Sequence, residues 1–123
     1  MQETMQAQAK SHKDLIVWQK AVRFVTCVYK LSDSFPQKEQ FGLTNQMRRA
    51  AVSIASNIAE GRNRGTGKDF VHFLRMAYGS AAELETQLLI SRNLRFTPRM
   101  ASEVDVLLDE VSKMLRAMIQ KLG

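Results

Sequence analysis

The chain of 123 residues has one cysteine, two histidines, two prolines and six glycines. Each scarcity excludes something. Cys27 alone makes no internal disulfide, and together with His12 and His72 it gives no zinc-ligand spacing. A single thiol fits a reducing, cytoplasmic compartment. No Glu-x-x-His pair occurs, so the signature of a di-iron helical bundle is missing. No apolar run approaches the roughly 20 residues that a membrane span needs. The opening MQETMQAQAKS has no apolar core and no cleavage-like end, so no signal peptide is expected. Residues 1–11 are expected as a flexible tail and 12–123 as a single domain.

Helical periodicity fills the rest, in four segments. The first is expected from about Lys13 to Ser34. Leu15, Trp18, Val22, Val25 and Tyr29 make one stripe; Val17, Ala21, Phe24, Val28, Leu31 and Phe35 make a second. Together they span an apolar arc of roughly 200°, where a helix in a small bundle needs about 100° or somewhat more. The surplus predicts burial on two sides, one of them against another chain. Pro36 and the following QKEQ end the helix.

The second segment, FGLTNQMRRAAVSIASNIAEG over residues 41–61, has two unlike faces. Met47, Ala51, Ile54 and Ile58 form an apolar seam. Gln46, Arg49, Ser53, Asn57, Glu60 and Arg64 form a polar one. Thr44 is the expected cap and Gly61 the expected stop. Alanines 50, 51, 55 and 59 allow another helix to approach closely.

The third segment is expected from Lys68 to Arg95, with the seam Phe70, Leu74, Ala77, Ala81, Leu84 and Leu88. Gly79 lies inside it, and close backbone approach is the expected compensation for its helix-weakening effect. The fourth segment has Thr97 as expected cap and Pro98 in the first turn. Its heptad seam is Val104, Leu108, Val111, Leu115, Met118 and Leu122. Short connections make successive helices antiparallel, so the predicted fold is all-α, an up-down-up-down four-helix bundle. Folding the second and third helices back about residues 61–67 brings Arg48 and Arg49 level with Glu83. A structural polar seam of Arg48, Arg49, Asn57, Glu60 and Glu83 is expected there, with an Arg–Glu83 pair across the helices.

The net charge of +6 is concentrated. Residues 41–68 carry Arg48, Arg49, Arg62, Arg64 and Lys68 against Glu60 alone, which places most of the excess on one helix and the turn after it. Arg62, Arg64 and Lys68 are the candidate nucleic-acid-binding residues, since such a patch attracts polyanions. An acidic protein partner is the competing reading.

Chemical motifs fail on inspection. GRNRGTGK resembles a phosphate loop, but Gly61 to Gly67 is one residue too long, Asp69 replaces Ser or Thr, and a helix precedes it. Glu83 and Glu85 point to different sides of their helix and make a poor acid/base pair. His72 has no evident nucleophile beside it. Trp18 and Tyr29 fit a packing stripe better than a base-stacking platform. No enzyme activity, cofactor or metal is expected.

DLIVWQKA (14–21), the 41–61 block, FVHFLRMAYGSAAELETQL (70–88) and the trailing amphipathic helix together resemble the four-helix bundle proteins first noted as products of intervening sequences in bacterial 23S rRNA genes. The resemblance covers residues 12–122. The sequence departs from the family pattern at Ala55, where proline is usual, and a straighter helix is expected. Relatives include the accessory variability protein of diversity-generating retroelements, a basic homopentamer that binds a reverse transcriptase and nucleic acid. The resemblance thus implies a homo-oligomer, a pentamer in particular, with RNA or DNA as partner. The alternative it implies is a structural or protein-interaction adaptor, such as an accessory subunit of a reverse transcriptase.

Overall fold

The computed structural model describes residues 11–97 and 102–123. The expected tail, apart from Ser11, and Pro98 lie outside the described residues. Four α-helices carry the fold: α1 (Ile16–Ser32), α2 (Leu43–Asn63), α3 (Gly67–Asn93) and α4 (Glu103–Leu122). Short 3-10 turns precede α1 and α2, and no strand occurs among the described residues.

Cross-helix contacts fix the directions. Arg48, early in α2, bonds the end of α1, while Asn63 at the far end of α2 reaches His12. Ser53 meets Ser80 between α2 and α3. Arg92 near the end of α3 meets Asp105 in the first turn of α4, and the Lys20–Glu110 and Arg23–Glu103 pairs run α4 back along α1. Each helix is therefore antiparallel to both neighbours, and the architecture is an up-down-up-down bundle. Phe24, Met47, Ile54, Ile58, Leu74, Leu84, Val111 and Leu115 meet in its core.

The helix ends follow local chemistry, and several differ from the sequence expectation. Thr44 does not cap α2. The Glu39 carboxylate, held by the preceding turn, accepts the Leu43 N–H at 3.2 Å, so the helix starts early and Thr44 is buried inside its first turn. Gly61 does not stop α2 either. The helix continues to Asn63, and a Cβ on Gly61 would lie 2.5 Å from the Cβ of Phe73. Gly61 is thus where α3 comes closest, while Gly65, at φ +90°, makes the turn. Gly79, the expected point of approach, has nothing within 4 Å. At the start of α3, Thr66 Oγ1 accepts the Asp69 N–H at 3.1 Å.

The end of α3 is a Schellman motif: Phe96 N–H reaches Ser91 C=O at 2.8 Å and Arg95 N–H reaches Arg92 C=O at 3.0 Å. It puts Arg95 at φ 63°, a glycine-like conformation, and lays Phe96 against Phe35 with ring centroids 5.6 Å apart. Thr97 does not cap α4. Its hydroxyl pairs with Ser91 Oγ at 2.8 Å in the interior, and Ser102 caps instead, its N–H donating to the Asp105 carboxylate at 2.9 Å. The α4 seam buries Val104, Leu108, Val111 and Leu115 as expected, then Ile119, while Leu122 is exposed. A straight helix drifts about 20° per heptad, which moves the buried stripe off Met118 and Leu122.

On α1, Val17, Ala21, Phe24 and Val28 face the core. The other stripe is only partly covered: Trp18 and Val25 pack at the core margin, while Val22 and Tyr29 are exposed. The bundle therefore covers most of the apolar arc of this helix and leaves Val22 and Tyr29 exposed.

Candidate nucleic-acid interface

The α2–α3 turn gathers the predicted basic residues. Asn63 fastens it, donating from its side chain to Ala59 C=O at 2.7 Å and to His12 Nδ1 at 2.8 Å. Arg64 pairs with Glu60 at 2.8 Å and lies over the Phe73 ring at 5.1 Å. Both partners of that pair are about half exposed, so solvent screens it. Lys68 is exposed in the first turn of α3, and Arg62 is half-buried and engaged with its surroundings. Arg62, Arg64 and Lys68 thus share one end of the bundle, with the N-terminus of α3 and its partial positive charge between them. Because the helices alternate, this end also carries the start of α1 and the end of α4. Lys13 and Lys121 add positive charge; Asp14, Glu60 and Asp69 offset part of it.

The polar seam is organised differently from the expectation. No Arg48–Glu83 or Arg49–Glu83 pair forms among the described residues. Arg48 turns to α1: its Nε donates to Ser32 Oγ at 2.8 Å, and its Nη2 to Asp33 at 2.9 Å and Tyr29 C=O at 3.3 Å. Glu83 accepts from Gln87 of its own helix at 3.2 Å. Small groups occupy the α2–α3 contact instead. Ser53 and Ser80 hydroxyls meet at 3.0 Å, and Asn57 donates to Ser53 C=O at 2.8 Å and Ser53 Oγ at 2.9 Å. Gly61 packs against Phe73 in the same contact, and Arg49 is exposed on the outside.

At the opposite end of α2 the structure shows a feature that periodicity does not signal. Phe41 is 87% exposed at the mouth of an open groove of about 620 Å³, lined by Tyr29, Asn45, Arg48, Arg49 and Val52 among others. Only the FG dipeptide after a broken helix hints at it, and an aromatic in a turn is more often tucked under.

Two groups have altered acidity. Burial pushes the Cys27 thiol up, and the neighbouring Glu103 raises it further, so the reactive thiolate is disfavoured. Partial burial pushes the Asp105 carboxyl up, but hydrogen bonds from Arg92 and Ser102 and the Arg92 charge outweigh it and hold the carboxyl below its ordinary value. Asp105 is therefore a structural carboxylate joining α3 to α4. Among the described residues, no group of three or more His, Cys, Asp or Glu could hold a metal ion. No described helix is long and apolar enough to cross a membrane.

The fold is similar to the crystal structure of a protein of unknown function from the S23 ribosomal protein family of Bacteroides thetaiotaomicron. That match has a TM-score of 0.74 at 23% identity, over 85% of this chain and 99% of the other. No curated protein matches the sequence. The family model for the 23S rRNA-intervening sequence protein matches residues 13–117, which takes in all four helices almost to the end of α4. The chain therefore belongs to the 23S rRNA-intervening sequence protein family.

Proposed function

We propose that this protein is a nonenzymatic, self-associating helical bundle that holds RNA or DNA through the basic turn of Arg62, Arg64 and Lys68. The observation that carries the reading is the placement of Arg64 and Lys68, both exposed, on either side of the Gly65 turn at a helix N-terminus. Backbone N–H groups at such an end complement the cationic side chains in meeting phosphate oxygens. Contacts of this kind position a polyanion without reading its sequence, so weakly selective, salt-sensitive binding follows.

Self-association rests on the exposed margin of the α1 arc. Val22 and Tyr29 are seven residues apart on one stripe and are 39% and 41% exposed. A second copy seated there would bury the stripe, and the family resemblance favours a pentamer. A ring would repeat the basic turn along one rim, and repetition converts weak single contacts into useful avidity.

The test is a fluorescence-anisotropy titration of the native protein at low salt with structured RNA, single strands and duplex DNA. Binding is expected to at least one of them, and replacing Arg62, Arg64 and Lys68 with alanine should weaken it markedly. No binding to any of the three, or equal binding by the triple variant, overturns the assignment. Binding to an acidic protein in their place would support the adaptor role.

A further inference from the structure

We propose that the groove between the end of α1 and the start of α2 takes one nucleobase with its phosphate, the base stacking on Phe41 and the phosphate meeting Arg49 and Arg48. This site does not depend on the basic turn, which lies about 30 Å away along α2.

The ring of Phe41 is held out by a tied turn. Glu39 N–H donates to Pro36 C=O at 2.8 Å, Gly42 N–H donates to Glu39 C=O at 2.9 Å, and the Glu39 carboxylate receives the Leu43 N–H at 3.2 Å. Bonds on both sides of Phe41 therefore fix its backbone while the side chain stays 87% exposed. An aromatic face presented this way is a stacking platform, and stacking tolerates any base.

The cations beside it are equally prepared. Arg48 lies over the Tyr29 ring at 4.5 Å and spends its Nε and Nη2 donors on Ser32, Asp33 and Tyr29 C=O. Its two Nη1 donors take no partner among the described residues, so a guanidinium already fixed in place retains a hydrogen-bonding edge. Arg49 is exposed and makes no ion pair among the described residues. The groove lining holds no carboxylate. Asp33 and Glu39 at the adjoining helix ends are engaged by Arg48 and the α2 N-terminus. Val52 supplies an apolar wall, and Asn45 a free amide. About 620 Å³ falls within the range of small-ligand sites and accommodates one nucleotide unit. One projecting ring with two guanidiniums and a largely polar floor matches a base–phosphate unit better than an acidic peptide, which needs a longer apolar trough to anchor its side chains.

The test uses the full chain with three fluorescent or competing probes: a single-stranded RNA, an abasic sugar-phosphate strand of equal length, and adenosine monophosphate. The RNA should bind roughly tenfold more tightly than the abasic strand. Phe41→Ala should lose roughly tenfold toward RNA and nothing toward the abasic strand, while Phe41→Trp retains binding. Arg49→Ala should weaken both and reduce the salt slope by about one. Competition by the mononucleotide assigns the site to free nucleotides as well; its absence assigns it to the strand alone. Equal affinity of wild type and Phe41→Ala for RNA overturns the proposal. So does a Phe41→Ala protein whose oligomer mass changes while its RNA affinity does not, because the ring is then an assembly contact. Alanine at Arg62, Arg64 and Lys68 separates the two sites: the preference for RNA over the abasic strand should survive that change, and its loss there with Phe41 intact would place the stacking elsewhere.

Discussion

Alanine at Gly61 would put a methyl carbon 2.5 Å from the Cβ of Phe73 and 3.3 Å from its ring. Ordinary contact begins at 3.4 Å, so α2 and α3 must part by about 1 Å at this level. These two helices share the most extensive contact in the bundle, and Phe73 enters through its Cβ, so no flexible side-chain end can swing aside. Overpacking of this kind typically costs about 1–3 kcal/mol. Helix propensity works in the opposite direction, favouring alanine by about 1 kcal/mol. Because the clash is with a Cβ, the upper part of that cost applies, about 2–3 kcal/mol, and the expected result is a net loss of about 1–2 kcal/mol, read as a fall in Tm of roughly 4–8 °C for a domain of this size. Gly79→Ala is the internal control. It lies within α3 with open space around it, so the propensity gain should appear almost whole, raising stability by about 0.5–1 kcal/mol. Both are measured by urea and thermal denaturation followed by circular dichroism. A Gly61→Ala protein as stable as wild type, or a Gly79→Ala protein less stable, would refute the assignment of close approach to Gly61.

Arg95→Gly should stabilise the chain by about 1 kcal/mol, since Arg95 is exposed at φ 63° and glycine adopts that conformation without strain; a lower Tm would contradict the Schellman reading. Arg48→Ala should cost about 1–2 kcal/mol through its bonds to Ser32, Tyr29 and Asp33, whereas Arg49→Ala and Arg23→Ala should lie near zero because both side chains face solvent; equal melting temperatures for all three would refute this. Asp105 has a depressed pKa in the folded state, so its contribution is fully present above the ordinary value of 3.8 and is lost as pH falls through the lower folded value. The stability gap between wild type and Asp105→Asn should therefore be constant at neutral pH and shrink below about pH 4; a gap independent of pH would exclude the carboxylate as its source.

The bundle was legible because its seams obey helical spacing over long stretches. Leu74, Ala77, Ala81, Leu84 and Leu88 all face the core as their positions predict, and so do Met47, Ala51, Ile54 and Ile58. What periodicity does not encode is which group completes a helix end. Thr44 and Thr97 have the right chemistry for capping, but Glu39 and Ser102 were better placed in three dimensions. In sequence Gly79 reads as the interior glycine and Gly61 as a stop, yet of the two it is Gly61 that faces a neighbouring helix. The level of Arg48 and Arg49 in the hairpin did not determine their partners, because a long side chain chooses among neighbouring helices and α1 offered Arg48 a hydroxyl, a carbonyl and a carboxylate. Arg62, Arg64 and Lys68 could be grouped from sequence because they are nearly consecutive. Phe41, Arg48 and Arg49 share a groove with Tyr29 only after the segment between α1 and α2 has folded.

Native mass measurement of the protein, with and without a short RNA at low salt, tests the central claim most directly. The account predicts an oligomer whose mass is a multiple of the 14.0 kDa chain, five-fold for the pentamer favoured by resemblance, and a shift by the mass of bound RNA that is markedly reduced in the Arg62, Arg64 and Lys68 triple-alanine variant. A 14.0 kDa monomer at micromolar concentration, with no RNA bound, would contradict it.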